Sequence, residues 1–137
     1  MTAFFRLWRV LAAGALLAAT PTSRAYAADM FIIANTDLAV SAEDVKEIFL
    51  GEVQFSGSLK MLPVDNAGAQ NEFLARVLKI SNAKYSASWT KKSFRDGLNA
   101  PPVKATDAEV IVFVKNNPGA IGYVTSAPPG VHVVSKF

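Results

Sequence analysis

Segments with strand character alternate with segments with helix character along most of this chain, and this alternation limits the fold more than any other feature. The strand-like segments are residues 30–34, 59–64, 120–124 and 131–134. The helix-like segments begin at Ser41, after Gly68, after Asn82 and at Thr106. Such alternation predicts an α/β domain with a mixed, mainly parallel sheet that is flanked by helices.

Capping residues fix the starts of two of these helices. Ser41 is followed three residues later by Asp44, and Thr106 is followed three residues later by Glu109, which is the spacing of a capping box. The second box precedes the run Val-Ile-Val-Phe-Val at residues 110–114, whose β propensity favours a strand. We predict a helix there, because the cap fixes a start and Asn-Asn-Pro at residues 116–118 supplies a stop.

The first 27 residues have the pattern of an export signal. Arg6 and Arg9 precede an apolar run at residues 10–19, and Ala-Tyr-Ala at residues 25–27 is a typical cleavage sequence. A membrane anchor is the alternative, but the run is shorter than the roughly 20 residues that cross a bilayer. We therefore predict a signal peptide at residues 1–27, cleavage near Ala27, and a single periplasmic domain at residues 28–137.

Cleavage would change the charge of the protein. The chain has 14 basic and 11 acidic residues, and residues 1–27 contain three arginines and no acid, which leaves 11 of each sign. The remaining positive residues are dispersed, so a nucleic-acid partner is not expected. Cysteine is absent, which excludes disulfides and thiol catalysis.

The chain lacks a recognisable catalytic set, and we predict that it is not an enzyme and carries no cofactor. His132 is the only histidine, and we expect it on the polar face of an edge strand. One histidine and no cysteine are too few for a structural zinc site. Trp89, four residues after Tyr85, is expected to pack in the core, with a role in ligand stacking as the alternative.

The sequence Asp-Asn-Ala-Gly-Ala-Gln at residues 65–70 is the best candidate for a binding site. It links a predicted strand to a predicted helix, where free N–H groups and the helix dipole attract anions. Ordinary helix capping by Asp65 or Asn66 explains the same residues. The candidate ligand-binding residues are Asp65, Asn66, Gly68 and Gln70.

Several motifs occur in an order that resembles the phosphate ABC-transporter substrate-binding family. They are Phe-Leu-Gly at residues 49–51, Leu-Pro-Val-Asp at residues 62–65, Pro-Pro at residues 101–102 and Asn-Pro-Gly-Ala-Ile-Gly-Tyr-Val at residues 117–124. The resemblance is to small, single-lobe members of that family. It implies one lobe of a type II periplasmic-binding-protein-like fold, with Gly122 allowing a neighbouring element to approach its strand.

The resemblance also implies two functional hypotheses. Full-length members commonly carry Arg-x-Asp-x-Ser-Gly-Thr at the turn that binds phosphate, whereas residues 64–70 lack the arginine, the serine and the threonine. The first hypothesis is a periplasmic solute-binding-like protein that binds phosphate or another oxyanion weakly and works with a membrane transporter. The alternative is a module that has lost the ligand and contacts an envelope protein or a second copy of itself.

Overall fold

The computed structural model describes residues 28–137. The predicted signal peptide at residues 1–27 lies outside the described residues. The strands are β1 (Phe31–Ala34), β2 (Phe55–Ser56), β3 (Leu59–Lys60), β4 (Leu62–Pro63), β5 (Asp65–Asn66), β6 (Val103–Lys104), β7 (Ala120–Val124) and β8 (His132–Lys136). The helices are α1 (Val45–Phe49), α2 (Gln70–Phe73), α3 (Asn82–Asp96) and α4 (Asp107–Asn116). A 3-10 turn at Ala42–Asp44 precedes α1, and a π-helical turn at Leu74–Leu78 continues α2.

The central sheet has four strands in the order β4-β7-β1-β8. β4 runs parallel to β7, but β1 is antiparallel to both β7 and β8. The prediction of a mainly parallel sheet is therefore wrong. Alternation constrains strand direction only where a helix crosses between neighbouring strands, as between β4 and β7. β1 pairs instead with strands near the other end of the chain, and Phe31 faces Val124.

The region at residues 55–66 also differs from the prediction. Residues 55–60, for which no structure was predicted before residue 59, form a hairpin in which β2 pairs with β3, and Gly57 has φ +60°. The expected single strand at residues 59–64 is divided into β3 and β4, because the two segments pair with different partners. β5 follows and runs parallel to β6, so Asp65 and Asn66 belong to a strand rather than to the turn that ends it.

Hydroxyl caps mark where the two long helices begin, at the predicted Thr106 and also at Ser81. Ser81 Oγ accepts a hydrogen bond from Lys84 N at 3.1 Å, and Thr106 Oγ1 accepts one from Glu109 N at 3.3 Å. The helix predicted for residues 110–114 is confirmed as part of α4. At the first box the carboxylate of Asp44 is the acceptor, from both the N–H and the hydroxyl of Ser41.

Two apolar clusters pack on opposite sides of the sheet. One contains α1, α2 and α3 side chains around Phe49, Phe73 and Tyr123. The other lies under α4, where Val110 and Val114 are fully buried. A Cβ atom on Gly122 would lie 2.7 Å from Val110 Cγ1, so the glycine allows α4 to approach β7 as expected.

The third helix buries Tyr85 and Trp89, but not the third aromatic residue of its sequence. Phe94 is 89% exposed. Gly97, with φ +66°, ends this helix, because glycine adopts the left-handed conformation of a C-terminal cap without a steric cost. In the described part of the chain, no helix has the length and apolar character needed to cross a membrane.

Candidate functional site

The candidate residues lie where β5 leaves the edge of the central sheet. Asp65 faces Val103 and Asn66 faces Lys104 in the parallel pairing with β6. Asp65 is 2% exposed and Asn66 is 1% exposed. Burial of two polar side chains requires that their hydrogen-bonding groups find partners inside the protein.

Asp65 obtains its partners from two tyrosines on different elements. Tyr85 Oη on α3 donates to Asp65 Oδ2, and Tyr123 Oη on β7 donates to Asp65 Oδ1, each at 2.8 Å. Burial raises the pKa of Asp65 above its ordinary value more than these two bonds lower it. Burial and the neighbouring carboxylate also raise the pKa of both tyrosines, so their hydroxyls stay protonated and act as donors.

Asn66 satisfies its side-chain amide with one partner in the turn and two that are distant in the sequence. Its Nδ2 donates to Asp107 Oδ1 at 2.7 Å and to the carbonyl of Tyr123 at 3.0 Å. Its Oδ1 accepts from Gly68 N at 3.1 Å. The amide therefore joins β5, β7 and the start of α4.

Asp107 is the second carboxylate of this region, and its environment is more polar. It accepts bonds from Thr125 N at 3.0 Å and from Thr125 Oγ1 at 2.6 Å, besides the bond from Asn66. Burial tends to raise the pKa of Asp107, but these bonds outweigh it and the pKa lies below its ordinary value. Asp107 is therefore an anion at neutral pH.

The remaining candidate residues, Gly68 and Gln70, complete the turn, and neither carries a positive charge that could bind an anion. Gly68 is exposed, and its N–H is used by Asn66. Gln70 is half-buried at the start of α2, which has only four residues. Glu72 in the first turn adds a negative charge. The structure thus brings the four predicted residues together in one polar region, which also contains the carboxylates of Asp65 and Asp107.

The sequence reasoning missed the partners that surround this joint. Tyr123 stacks on Phe73 with ring centroids 3.9 Å apart, and Phe49 packs against both rings. A tyrosine within the apolar strand Ala-Ile-Gly-Tyr-Val was a usable signal, because a buried hydroxyl needs an acceptor. Nothing in the local sequence of Tyr85, Asp107 or Thr125 indicated that they converge on residues 65–66.

The other residues considered from sequence have simpler surroundings. Trp89 is 6% exposed, and its Nε1 donates to the carbonyl of Phe49 at 3.1 Å, so it packs in the core as predicted. His132 is exposed on the edge strand β8. Among residues 28–137, no three His, Cys, Asp or Glu side chains are grouped closely enough to hold a metal ion.

Comparison with known proteins shows that this chain is similar in fold to a solved structure. The chain matches no protein-family model and no curated protein. Among solved structures it is similar to an ABC-type phosphate transport receptor from Vibrio cholerae, with a TM-score of 0.50 and 16% sequence identity. The match covers 79% of this chain and 46% of the receptor, so the chain spans about half of the receptor's length. At this identity the likeness supports the mixed α/β fold and not membership of the receptor's family.

Proposed function

We propose that this chain is an exported, non-catalytic periplasmic module, equivalent to a single lobe of a type II binding protein, that contacts a protein partner and has lost oxyanion binding. The observation that carries the proposal is the internal use of Asp65 and Asn66. Both oxygens of Asp65 accept from tyrosines, and both ends of the Asn66 amide are bonded within the fold. The donors that could hold an anion, Asn66 Nδ2 and Gly68 N, are therefore engaged within the fold, and Asp65 presents only acceptor oxygens.

The charges around the turn support the same proposal. A desolvated oxyanion needs opposing positive charge or several fixed donors, and a bidentate arginine is the usual device. The turn instead adjoins the anionic Asp107, whose pKa is lowered, and the exposed Glu72. An incoming phosphate would therefore face repulsion from these carboxylates.

Exposed aromatic side chains provide surface for a protein partner. Phe94 is 89% exposed on α3 and Phe55 is 56% exposed on the hairpin. Aromatic residues are enriched at protein interfaces. Weak oxyanion binding is the second candidate, because the backbone of Lys104 pairs with Asn66 in the β5–β6 register. In the structure the Lys104 Nζ lies 5.5 Å from the ring centroid of Phe113, so it would have to turn toward the anion.

Two measurements test this proposal. Calorimetry of the exported protein with phosphate and with sulfate should show no heat of binding at about 10 mM ligand. A saturable heat that Lys104→Gln abolishes would favour the second candidate.

A photo-crosslinking residue in place of Phe94 should give a discrete adduct with another protein in the native periplasm, whereas one in place of the exposed Glu43 should not. Light scattering would show whether that protein is a second copy of the chain, and absence of any adduct would count against the interaction module.

A further inference from the structure

A concave region lies beside the edge strand β4, whose residues Leu62 and Pro63 form part of its wall. It is a cavity of about 260 Å³ between α1, the β2–β3 hairpin and residues 97–102. Its apolar lining includes Ile48, Leu62, Pro63, Trp89, Leu98 and Phe113. None of the four candidate residues of the turn lines it.

The walls of this cavity are held by the fold. Trp89 is fixed by its hydrogen bond to the carbonyl of Phe49, and its ring lies so close to Gly51 that a Cβ there would be 2.6 Å from Trp89 Cη2. On the other side, Pro101 and Pro102 stiffen the segment after α3. The carbonyl of Pro102 accepts a hydrogen bond from Asp65 N at 2.8 Å, which ties this segment to β5. The cavity is therefore present before any ligand arrives.

The residues that line the cavity carry positive charge and no negative charge. The lining contains no aspartate or glutamate, and Lys60 is its single charged residue. Lys60 is exposed and takes part in no salt bridge within residues 28–137. Gln54 and Asn99 are the polar side chains of the lining. A ligand that suits this cavity has an apolar body for the aromatic and aliphatic walls and an anionic group for Lys60.

The volume of the cavity limits the size of the ligand that it can hold. An apolar protein cavity of about 150 Å³ accommodates benzene. A cavity of 260 Å³ therefore has room for one ring and a short chain. We infer that this cavity is a binding site for a small monocarboxylate with an apolar, single-ring body, which inserts its ring beside Trp89 and directs its carboxylate to Lys60. This inference is independent of the proposed function, because it uses none of the residues of the Asp65 turn.

The probe for this site is 3-phenylpropionate, and its amide is the matched neutral compound. Calorimetry of the exported protein should give saturable binding of the carboxylate. The amide should bind about fivefold more weakly, because an ion pair with an exposed lysine contributes only modestly in water. The Trp89 indole N–H resonance should shift with the same saturation curve, because the ring forms part of the wall.

Two variants locate the site. Lys60→Gln should reduce the affinity for the carboxylate to that for the amide and leave the amide unchanged, whereas Lys46→Gln, at another exposed lysine, should change neither. Ala100→Phe should abolish binding of both compounds by filling the cavity. Ala100 is exposed and lines the cavity, so this substitution need not disturb the core.

Three results would overturn the assignment. They are no saturable binding of 3-phenylpropionate at about 10 mM, equal binding of the carboxylate and the amide to the unmodified protein, and binding that survives Ala100→Phe. A folded Ala100→Phe protein, shown by an unchanged circular dichroism spectrum, makes the last result interpretable. Failure here leaves the phosphate and crosslinking tests unaffected, since they concern other surfaces.

Discussion

Asp65 and Asp107 lie on either side of Asn66, yet their environments shift their pKa values in opposite directions. Asp65 is buried and receives two hydrogen bonds from neutral hydroxyls, and its pKa is raised. Asp107 lies nearer the surface and receives three bonds, one of them from a backbone N–H, and its pKa is lowered. The difference shows that hydrogen bonds stabilise a carboxylate anion only where they outweigh the loss of hydration.

The two aspartates should therefore differ in what their removal costs. Asp65→Ala leaves the hydroxyls of Tyr85 and Tyr123 buried without their acceptor, and each such group costs about 1–3 kcal/mol. We expect a loss of about 3 kcal/mol in the free energy of unfolding at neutral pH, measured by urea denaturation. Asp107→Ala should cost only about 1 kcal/mol, because solvent partly screens that site. Equal losses for the two variants would contradict the contrast between buried and surface environments.

Asn66 follows Asp65 in β5 and bonds Asp107, Tyr123 and Gly68, so its removal should affect several elements at once. Asn66→Ala removes the donor to Asp107 and to the carbonyl of Tyr123, and leaves Gly68 N without its acceptor. We expect a loss of about 2 kcal/mol in unfolding free energy and a rise in the pKa of Asp107. Carbon-detected NMR titration of the carboxyl groups measures the pKa. The control is Asn71→Ala at an exposed position of α2, which should change stability by less than about 0.5 kcal/mol.

Asp65 and Asp107 should also differ in how they make the free energy of unfolding depend on pH. The folded state keeps a proton on Asp65 between its ordinary pKa, about 3.9, and its raised value, where the unfolded state has released it. Stability therefore falls as pH rises through that window. Asp65→Asn removes this dependence, so the variant should gain stability relative to the natural protein by about 1.4 kcal/mol for each unit of pKa elevation.

Asp107→Asn should show the opposite sign. The lowered pKa of Asp107 contributes stability that is present above its ordinary pKa and is lost as pH falls through the folded value. The natural protein should therefore be more stable than Asp107→Asn at neutral pH and lose that advantage in acid. Urea unfolding curves collected from about pH 3 to pH 8 test both variants together. Parallel pH profiles for the two asparagine variants would show that the contrast is wrong.

The sequence predicts the helices of this fold better than its strand pairing, and the reason is physical. The local signals are hydroxyl caps and helix-ending glycines, and they correctly place α3 and α4, including the β-branched run at residues 110–114. Pairing between distant strands has no such local signal, so the direction of β1 was not predicted. The hairpin at residues 55–60 was also missed, although the Gly-Ser pair at residues 57–58 is a local turn signal. The same limit applies to the site. The turn at residues 67–69 is recognisable from the sequence, but the role of Asp65 is decided by Tyr85 and Tyr123, which are 20 and 58 residues away.

The smallest change tests whether the low pKa of Asp107 depends on one hydroxyl. Thr125→Val keeps the shape of the side chain and the backbone bond from Thr125 N to Asp107, but removes the 2.6 Å bond from Thr125 Oγ1. We expect a loss of about 0.5 kcal/mol, since this bond is exposed, and a rise in the pKa of Asp107 toward its ordinary value. Thr125→Ser keeps the hydroxyl and should keep the low pKa. The pKa of Asp65 should stay raised in both variants, because burial rather than this hydroxyl raises it, and a shift of both carboxylates would mean that Asn66 couples them into one titrating unit.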